Sequence, residues 1–217
     1  MYQEEKETIR CEAVFNEDHT HRFLWKRIWD EKLPLAGVIM LNPCQSDGIL
    51  LDVTSMLVIN NVAQLEGYGG VEVVNLYSKI TDKLCFRWNS DEELNLAEND
   101  TFIRKMTAEC KTVIVAWGKT PDSNQRAGKR AEKVLQLLRP HSDKLFCTTD
   151  GTRTNLHPLT PAIRHQWQLE KMDTEKTAVK KPARSPGRKK KAEAAVSEAE
   201  SNNRTAEIPE KITAEAV

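Results

Sequence analysis

Much of what would narrow a function quickly is missing from this chain. Neither charge is in excess: 32 lysines and arginines balance 32 aspartates and glutamates, so no global field draws the protein to nucleic acid or to a membrane. Its five cysteines, Cys11, Cys44, Cys85, Cys110 and Cys147, stand singly with no C-x-x-C pair. That odd number and wide spacing argue against a disulfide framework and against a zinc site. The N-terminus, MYQEEKETIR, is charged and carries no apolar signal core. No apolar run approaches the ~20 residues that cross a bilayer. The expectation is a soluble, cytoplasmic protein without a membrane partner, a metal or an obligate protein partner. A length of 217 residues suits one globular domain with an appendage.

What is present is an alternation of strand and helix patterns. Residues 9–29 read as two strands, IRCEAVFNE and HRFLWKRIW, around a turn near Asp18 and His19. LAGVIMLN, VEVVNLYS, KTVIVAWGK and DKLFCTTD are apolar runs of the kind found in a sheet covered on both faces. Between them lie three helical patterns. In residues 52–70, Val53, Leu57 (or Met56), Asn60 and Gln64 recur on successive turns, with Gly67 or Gly69 as the stop. Residues 90–109 open on Ser90 or Asp91 as N-cap with Glu93 nearby. Residues 121–140 are amphipathic between Pro121 and Pro140. The fold expected is three-layer α/β/α with a central, mostly parallel sheet, preceded by an N-terminal β-hairpin.

The composition changes near Lys171. KMDTEKTAVKKPARSPGRKKK is basic, and the remainder is acidic and almost free of large apolar residues. Neither half can bury enough surface to offset its ordering entropy. The division expected is a domain over 1–170 and a disordered charged tail over 171–217. The basic half either follows a phosphate backbone or solubilises the chain; its SPGRKKK resembles minor-groove hooks built on a Gly-Arg core.

Ligands of open parallel sheets bind beyond the carboxyl ends of the strands. Those ends carry Asn42-Pro43, Asn75-Leu76-Tyr77, Trp117-Gly118-Lys119, and a final loop with Asn155 and His157-Pro158. One such polar residue is a turn; four at one edge suggest a site.

The blocks MLNP, GGVEVVNLYS, VIVAWGK and NLHPLTP, taken together over roughly residues 10–170, resemble a bacterial and phage family known only as a domain of unknown function. In order and spacing they also resemble the uracil-DNA glycosylase superfamily. There, a first strand ends in Gly-x-Asp/Asn-Pro, a middle strand ends in a base-reading Asn, a later strand ends in Trp-Gly or a similar pair, and a His-Pro-Ser loop closes the site. By that resemblance Asn42 takes the place of the motif-one Asp or Asn, which is Asn in the mismatch-specific branch. Asn75 takes the place of the base-reading Asn, and His157 that of the loop His. Three positions depart: Met40 replaces Gly, Cys44 stands where the mismatch branch has Gly, and Leu159 replaces Ser.

The resemblance implies a uracil-DNA-glycosylase-like fold and hydrolysis of the N-glycosidic bond of an extruded nucleotide in DNA, with no cofactor. Asn42 would orient a water through its side-chain oxygen. Asp47 either supplies a carboxylate or is a solvated loop residue. Asn75, with donor and acceptor on one amide, would read a pyrimidine edge, and neutral His157 would donate to the pyrimidine O2. Pro43, Cys44, Tyr77 and Gly118 would line the pocket. Tyr77 and Tyr68 either stack on a base or pack in the core or rim. Lys119, Arg153 and Arg164 are candidate phosphate ligands or ordinary surface charges, and Leu159 and Ile163 candidate wedges. Cys44 is much smaller than the Tyr that excludes C5 substituents in the uracil-specific branch. The target expected is therefore a C5-modified pyrimidine, as in hypermodified phage DNA met by a host defence. Two other readings are a non-catalytic nucleic-acid-binding module and an enzyme of free nucleosides or nucleotides.

Overall fold

The computed structural model describes residues 2–44 and 50–172. Asp47 and the basic and acidic segments beyond residue 172 lie outside the described residues.

The chain forms seven strands: β1 (Arg10–Phe15), β2 (Arg22–Ile28), β3 (Leu35–Met40), β4 (Gly70–Asn75), β5 (Thr112–Val115), β6 (Leu145–Thr149) and β7 (Gln168–Lys171). They form one sheet in the order β1-β2-β4-β3-β5-β6-β7. The central four, β4-β3-β5-β6, are parallel. The expected hairpin β1–β2 extends this sheet by pairing β2 antiparallel to β4, with Trp25 opposite Val73. Its turn holds His19 at φ 53°, and the Asn16 side chain accepts from the His21 amide at 2.8 Å.

Successive residues of the central strands face opposite ways, and the two faces have separate cores. Ala36, Val38, Met40, Val71, Val73, Ile114 and Ala116 meet Val58 and Val62 of helix α1 (Val53–Ala63) together with Leu156, Ile163 and Trp167. Ile39, Val74, Val113, Val115 and Leu145 meet helices α3 (Asn99–Glu109) and α5 (Gln125–Leu138) through Ile103, Met106, Val134 and Leu138. The result is a mixed α/β fold with helices on both faces of a central sheet. None of the helices among the described residues is long and apolar enough to cross a membrane.

Two expected helices are interrupted. Residues 90–109 form a one-turn helix α2 (Asp91–Leu94), begun by the expected Ser90–Glu93 capping box, and then α3. Between them Asn95 is extended, because this backbone bonds elsewhere: Leu96 N donates to Ser78 Oγ at 3.1 Å and the Leu94 carbonyl accepts from Lys79 N. Residues 121–140 likewise divide into α4 (Thr120–Ser123) and α5, because Asn124 caps α5 by accepting from Arg126 N and Ala127 N. In α1 the buried face is Leu57, Val58, Asn61 and Val62, whereas Val53, Asn60 and Gln64 are exposed. The buried face is thus rotated by part of a turn from the expected positions. Strand β7 was not expected, since QLEK is polar and mostly exposed at an edge. Ordered packing runs through Met172, which is 8 % exposed in the α3/α5-side core, two residues past the expected boundary.

Gly37 shows how closely α3 sits on the sheet: a Cβ there would lie 2.1 Å from Met106 Sδ. Gly37→Val should destabilise the protein by about 1–3 kcal/mol through overpacking, measured as a lowered urea midpoint with an unchanged slope. An unchanged midpoint would show that Met106 yields without cost.

Candidate functional site

The strand order reverses at β3. The chain passes from β3 to β4 on one side, and the next strand, β5, lies on the other side of β3. The crevice beyond the carboxyl ends at such a reversal is where an open sheet receives ligands. Asn42, Asn75 and Gly118 follow or close these three adjacent strands.

Each is held by the backbone beyond its strand. Ladder bonding continues from Leu76 N to Met40 O and from Tyr77 N to Leu41 O, so the chain is still in register where Asn42 begins its turn. The Asn42 amide nitrogen donates to Thr81 O at 2.6 Å and to Pro43 O at 3.2 Å. With the NH2 so occupied, the network assigns the remaining amide atom, Oδ1, as the acceptor. Buried Pro43 also accepts from Thr81 N at 3.0 Å. Cys44 is half-buried, its Sγ 3.6 Å from Asp82 Oδ1.

Asn75 pairs in register with Met40, which places it on the α1 side of the sheet. It is 3 % exposed. Its backbone is clamped from the opposite face. Asn99 Nδ2 donates to Asn75 O at 2.9 Å and Arg130 Nε to Leu76 O at 2.7 Å. Both donors are buried, and Arg130 is in turn paired with buried Asp100 at 2.6 Å. Burial alone would raise the Asp100 carboxyl, but Lys133 and Arg130 overcome it and hold the group below its ordinary range. Local spacing carries no sign of this clamp, because it joins residues on three elements. Asn99 and Arg130 are polar positions on helices whose exposed sides are also polar.

His157 reaches the same edge from the last loop. Gly118, at φ +77°, leaves room for it, since a Cβ there would lie 3.1 Å from His157 Cβ. Gly118 N donates to Asn155 O at 2.7 Å, docking the loop on the end of β5. His157 Nδ1 accepts from Leu159 N at 3.2 Å, so the neutral ring carries its proton on Nε2. Burial lowers the His157 pKa from its ordinary 6.5, partly opposed by the charge of Asp52. Asp52, the N-cap of α1, was not expected here, although an Asp ahead of a helical pattern is a readable cap.

Other expected site residues are placed differently. Tyr77 is 2 % exposed and belongs to the core on the α3/α5 side, edge-on to Phe86. Burial pushes its hydroxyl up to about 12, and its ring has no face for a base. Tyr68 precedes β4 and bonds Thr112 at the start of β5, the opposite edge of the parallel strands, so it cannot stack at this crevice. Ile163, 1 % exposed, is core rather than a wedge, whereas Leu159 is 39 % exposed. Arg153 is bound to Asp150 through Nε at 2.9 Å and an ion pair at 2.5 Å, and backbone and side-chain bonds from Arg153 bring Asp150 down to about 2. Arg164 donates to Leu159 O at 3.0 Å and so props the loop. Lys119 is exposed, with no ion pair among the described residues. No group of three or more His, Cys, Asp or Glu among the described residues is arranged to hold a metal ion.

The model of a family described as "Protein of unknown function (DUF1643)" matches residues 22–159, which include Asn42, Asn75, Gly118 and His157. No curated protein and no solved structure matches the chain.

Asp100→Ala tests the clamp. Removing the carboxylate strands Arg130 in the interior, which should cost about 3–5 kcal/mol, read as a drop in unfolding free energy. A loss below ~1 kcal/mol would mean that Arg130 is solvated well enough not to need Asp100.

Proposed function

We propose that this chain, which belongs to the DUF1643 family, is a DNA glycosylase with the site plan of the uracil-DNA glycosylase superfamily, whose motif order its sequence resembles. The observation that carries this reading is the fixed amide of Asn42. Two backbone carbonyls occupy its nitrogen and leave its oxygen as an acceptor at the strand-order reversal. An acceptor in that position orients water without being able to take a proton for good.

In the proposed reaction the C1′–N bond of an extruded nucleotide breaks and its electron pair leaves with the base. Water held by Asn42 adds to C1′, and its proton is released to solvent or to the departing base. His157, neutral and protonated on Nε2, donates to the pyrimidine oxygen that gains charge. The negative charge of Asp52, which His157 already feels, favours the sugar cation. Asn75 brings to the base edge an amide that carries both a donor and an acceptor. Cys44 in place of a bulky ring leaves space at the pyrimidine C5. The substrate proposed is accordingly a C5-modified pyrimidine in DNA, with phage DNA as a source and the cytoplasm as the place of action.

Asn42→Ala should lower base release by about a hundredfold while the protein stays folded, with a stability loss of only about 0.5–1.5 kcal/mol from the lost bond to the Thr81 carbonyl, because the side chain does not pack in either core. Alkali-labile sites in duplex DNA report the release. Equal cleavage by the variant and the wild type removes Asn42 from the mechanism.

The pH profile tests His157. The ring must be neutral to donate from Nε2 alone, and its pKa lies below 6.5, so the rate should hold steady from neutral pH down past 6.5 and fall only at lower pH. His157→Ala should lose about 10²–10³ in rate and the acid limb with it. A limb centred above pH 6.5, or one retained in the variant, would assign the titration to another group.

A further inference from the structure

We infer that the loop between β4 and α2, residues 79–90, is a binding surface for an unpaired strand of nucleic acid, with Trp88 as the stacking platform and Lys83 and Arg87 as phosphate ligands. Trp88 is 75 % exposed, unlike Trp25, Trp117 and Trp167, which are at most 6 % exposed. Leaving a side chain of this size in water forfeits more burial than any other residue type. The loop that exposes it is firmly held. Arg126 donates to Phe86 O at 2.5 Å and to Asn89 O at 2.9 Å, Phe86 packs on Tyr77 at 5.6 Å, and Ile80 N bonds Thr20 O at 2.9 Å. Trp88 is therefore presented rather than merely loose.

The chemistry around it selects the partner. Arg87 lies over one face of the Trp88 ring at 4.9 Å, so a base would stack on the other face with a cation close by. Arg87 and Lys83 are exposed and make no ion pair among the described residues. The nearby acids are largely engaged: Asp91 with Arg126, Glu93 with the Ser90 amide, and Asp82 against Cys44; Glu92 is exposed. The other large apolar residues of the loop, Leu84 and Phe86, pack against the core. One exposed aromatic ring with a cation over it and a second exposed cation in the same loop, and no other exposed large apolar residue in that loop, suits a base and its phosphates better than a protein.

The same loop donates and accepts through Thr81 to Pro43 and Asn42, so a strand lying on it runs beside the proposed site. The inference rests on the glycosylase reading only in taking that strand to be DNA. The test uses the full chain, a fluorescent single-stranded oligothymidylate and its 5-bromouracil form. Ultraviolet cross-linking should join the bromouracil strand to the peptide that contains Trp88. Trp88→Ala should weaken anisotropy-measured binding about tenfold, Trp88→Phe should retain most of it, and Lys83→Ala with Arg87→Ala should reduce the salt dependence. Binding unchanged in Trp88→Ala, cross-links confined to other segments, or no binding by the wild type each overturns the inference. So does a Trp88→Ala variant that alters only self-association, which would assign the surface to a protein contact. Binding through Trp88 without base release would remove the glycosylase reading and leave this one standing; base release with binding indifferent to Trp88 would do the reverse.

Discussion

The arrangement depends on one constraint: backbone carbonyls at and beyond the end of a buried strand must find donors. Here side chains supply them. Asn99 and Arg130 satisfy the carbonyls of Asn75 and Leu76, and Asn42 satisfies Thr81. The first two reach through from the α3/α5 side, so the end of β4 is anchored on the face opposite the one that Asn75 occupies. The third makes a residue of the proposed chemistry part of the structural bonding as well. Its nitrogen is used for the fold, and only its oxygen is left for a ligand.

That division of labour also sets the electrostatics. The charged pair Arg130–Asp100 stays behind the sheet, where mutual pairing offsets desolvation. The carboxyl edge of β3, β4 and β5 carries neutral polar residues, Asn42 and Asn75, with His157 brought beside Gly118 and Asp52 as the charge that acts on the imidazole. In the reaction we propose, one nearby anion favours the sugar cation, a neutral donor serves the departing base, and no strong general base is needed.

The sheet was legible because its signal is local: four apolar runs became the four parallel strands, and the turn at Asp18 and His19 became the hairpin turn. What failed was decided by tertiary contacts. Ser78 draws the backbone at Leu96 out of a helix that propensity would continue. Asn124 reads as a helix-interior residue until it is seen capping α5. The polar edge strand β7 has no apolar alternation to betray it. At the site, the ends of the strands could be read directly, since Asn42, Asn75, Gly118 and His157 occupy one sheet edge. Spacing says nothing about which way an aromatic points, which is why Tyr77 and Tyr68 fell to the core and the far edge. Nor does it reveal that Arg153 is already bound to Asp150.

The central claim is that this edge cuts a base from DNA, and the freed base is its most direct witness. Matched oligonucleotides carrying uracil, thymine, 5-hydroxymethyluracil or a bulkier C5-substituted pyrimidine at one position would be incubated with the full chain, and the small-molecule fraction weighed by mass spectrometry. The account predicts an intact free base from at least one C5-substituted strand, absent when Asn42 is alanine. No free base from any strand would contradict it, and release of uracil alone would contradict the open space assigned to Cys44.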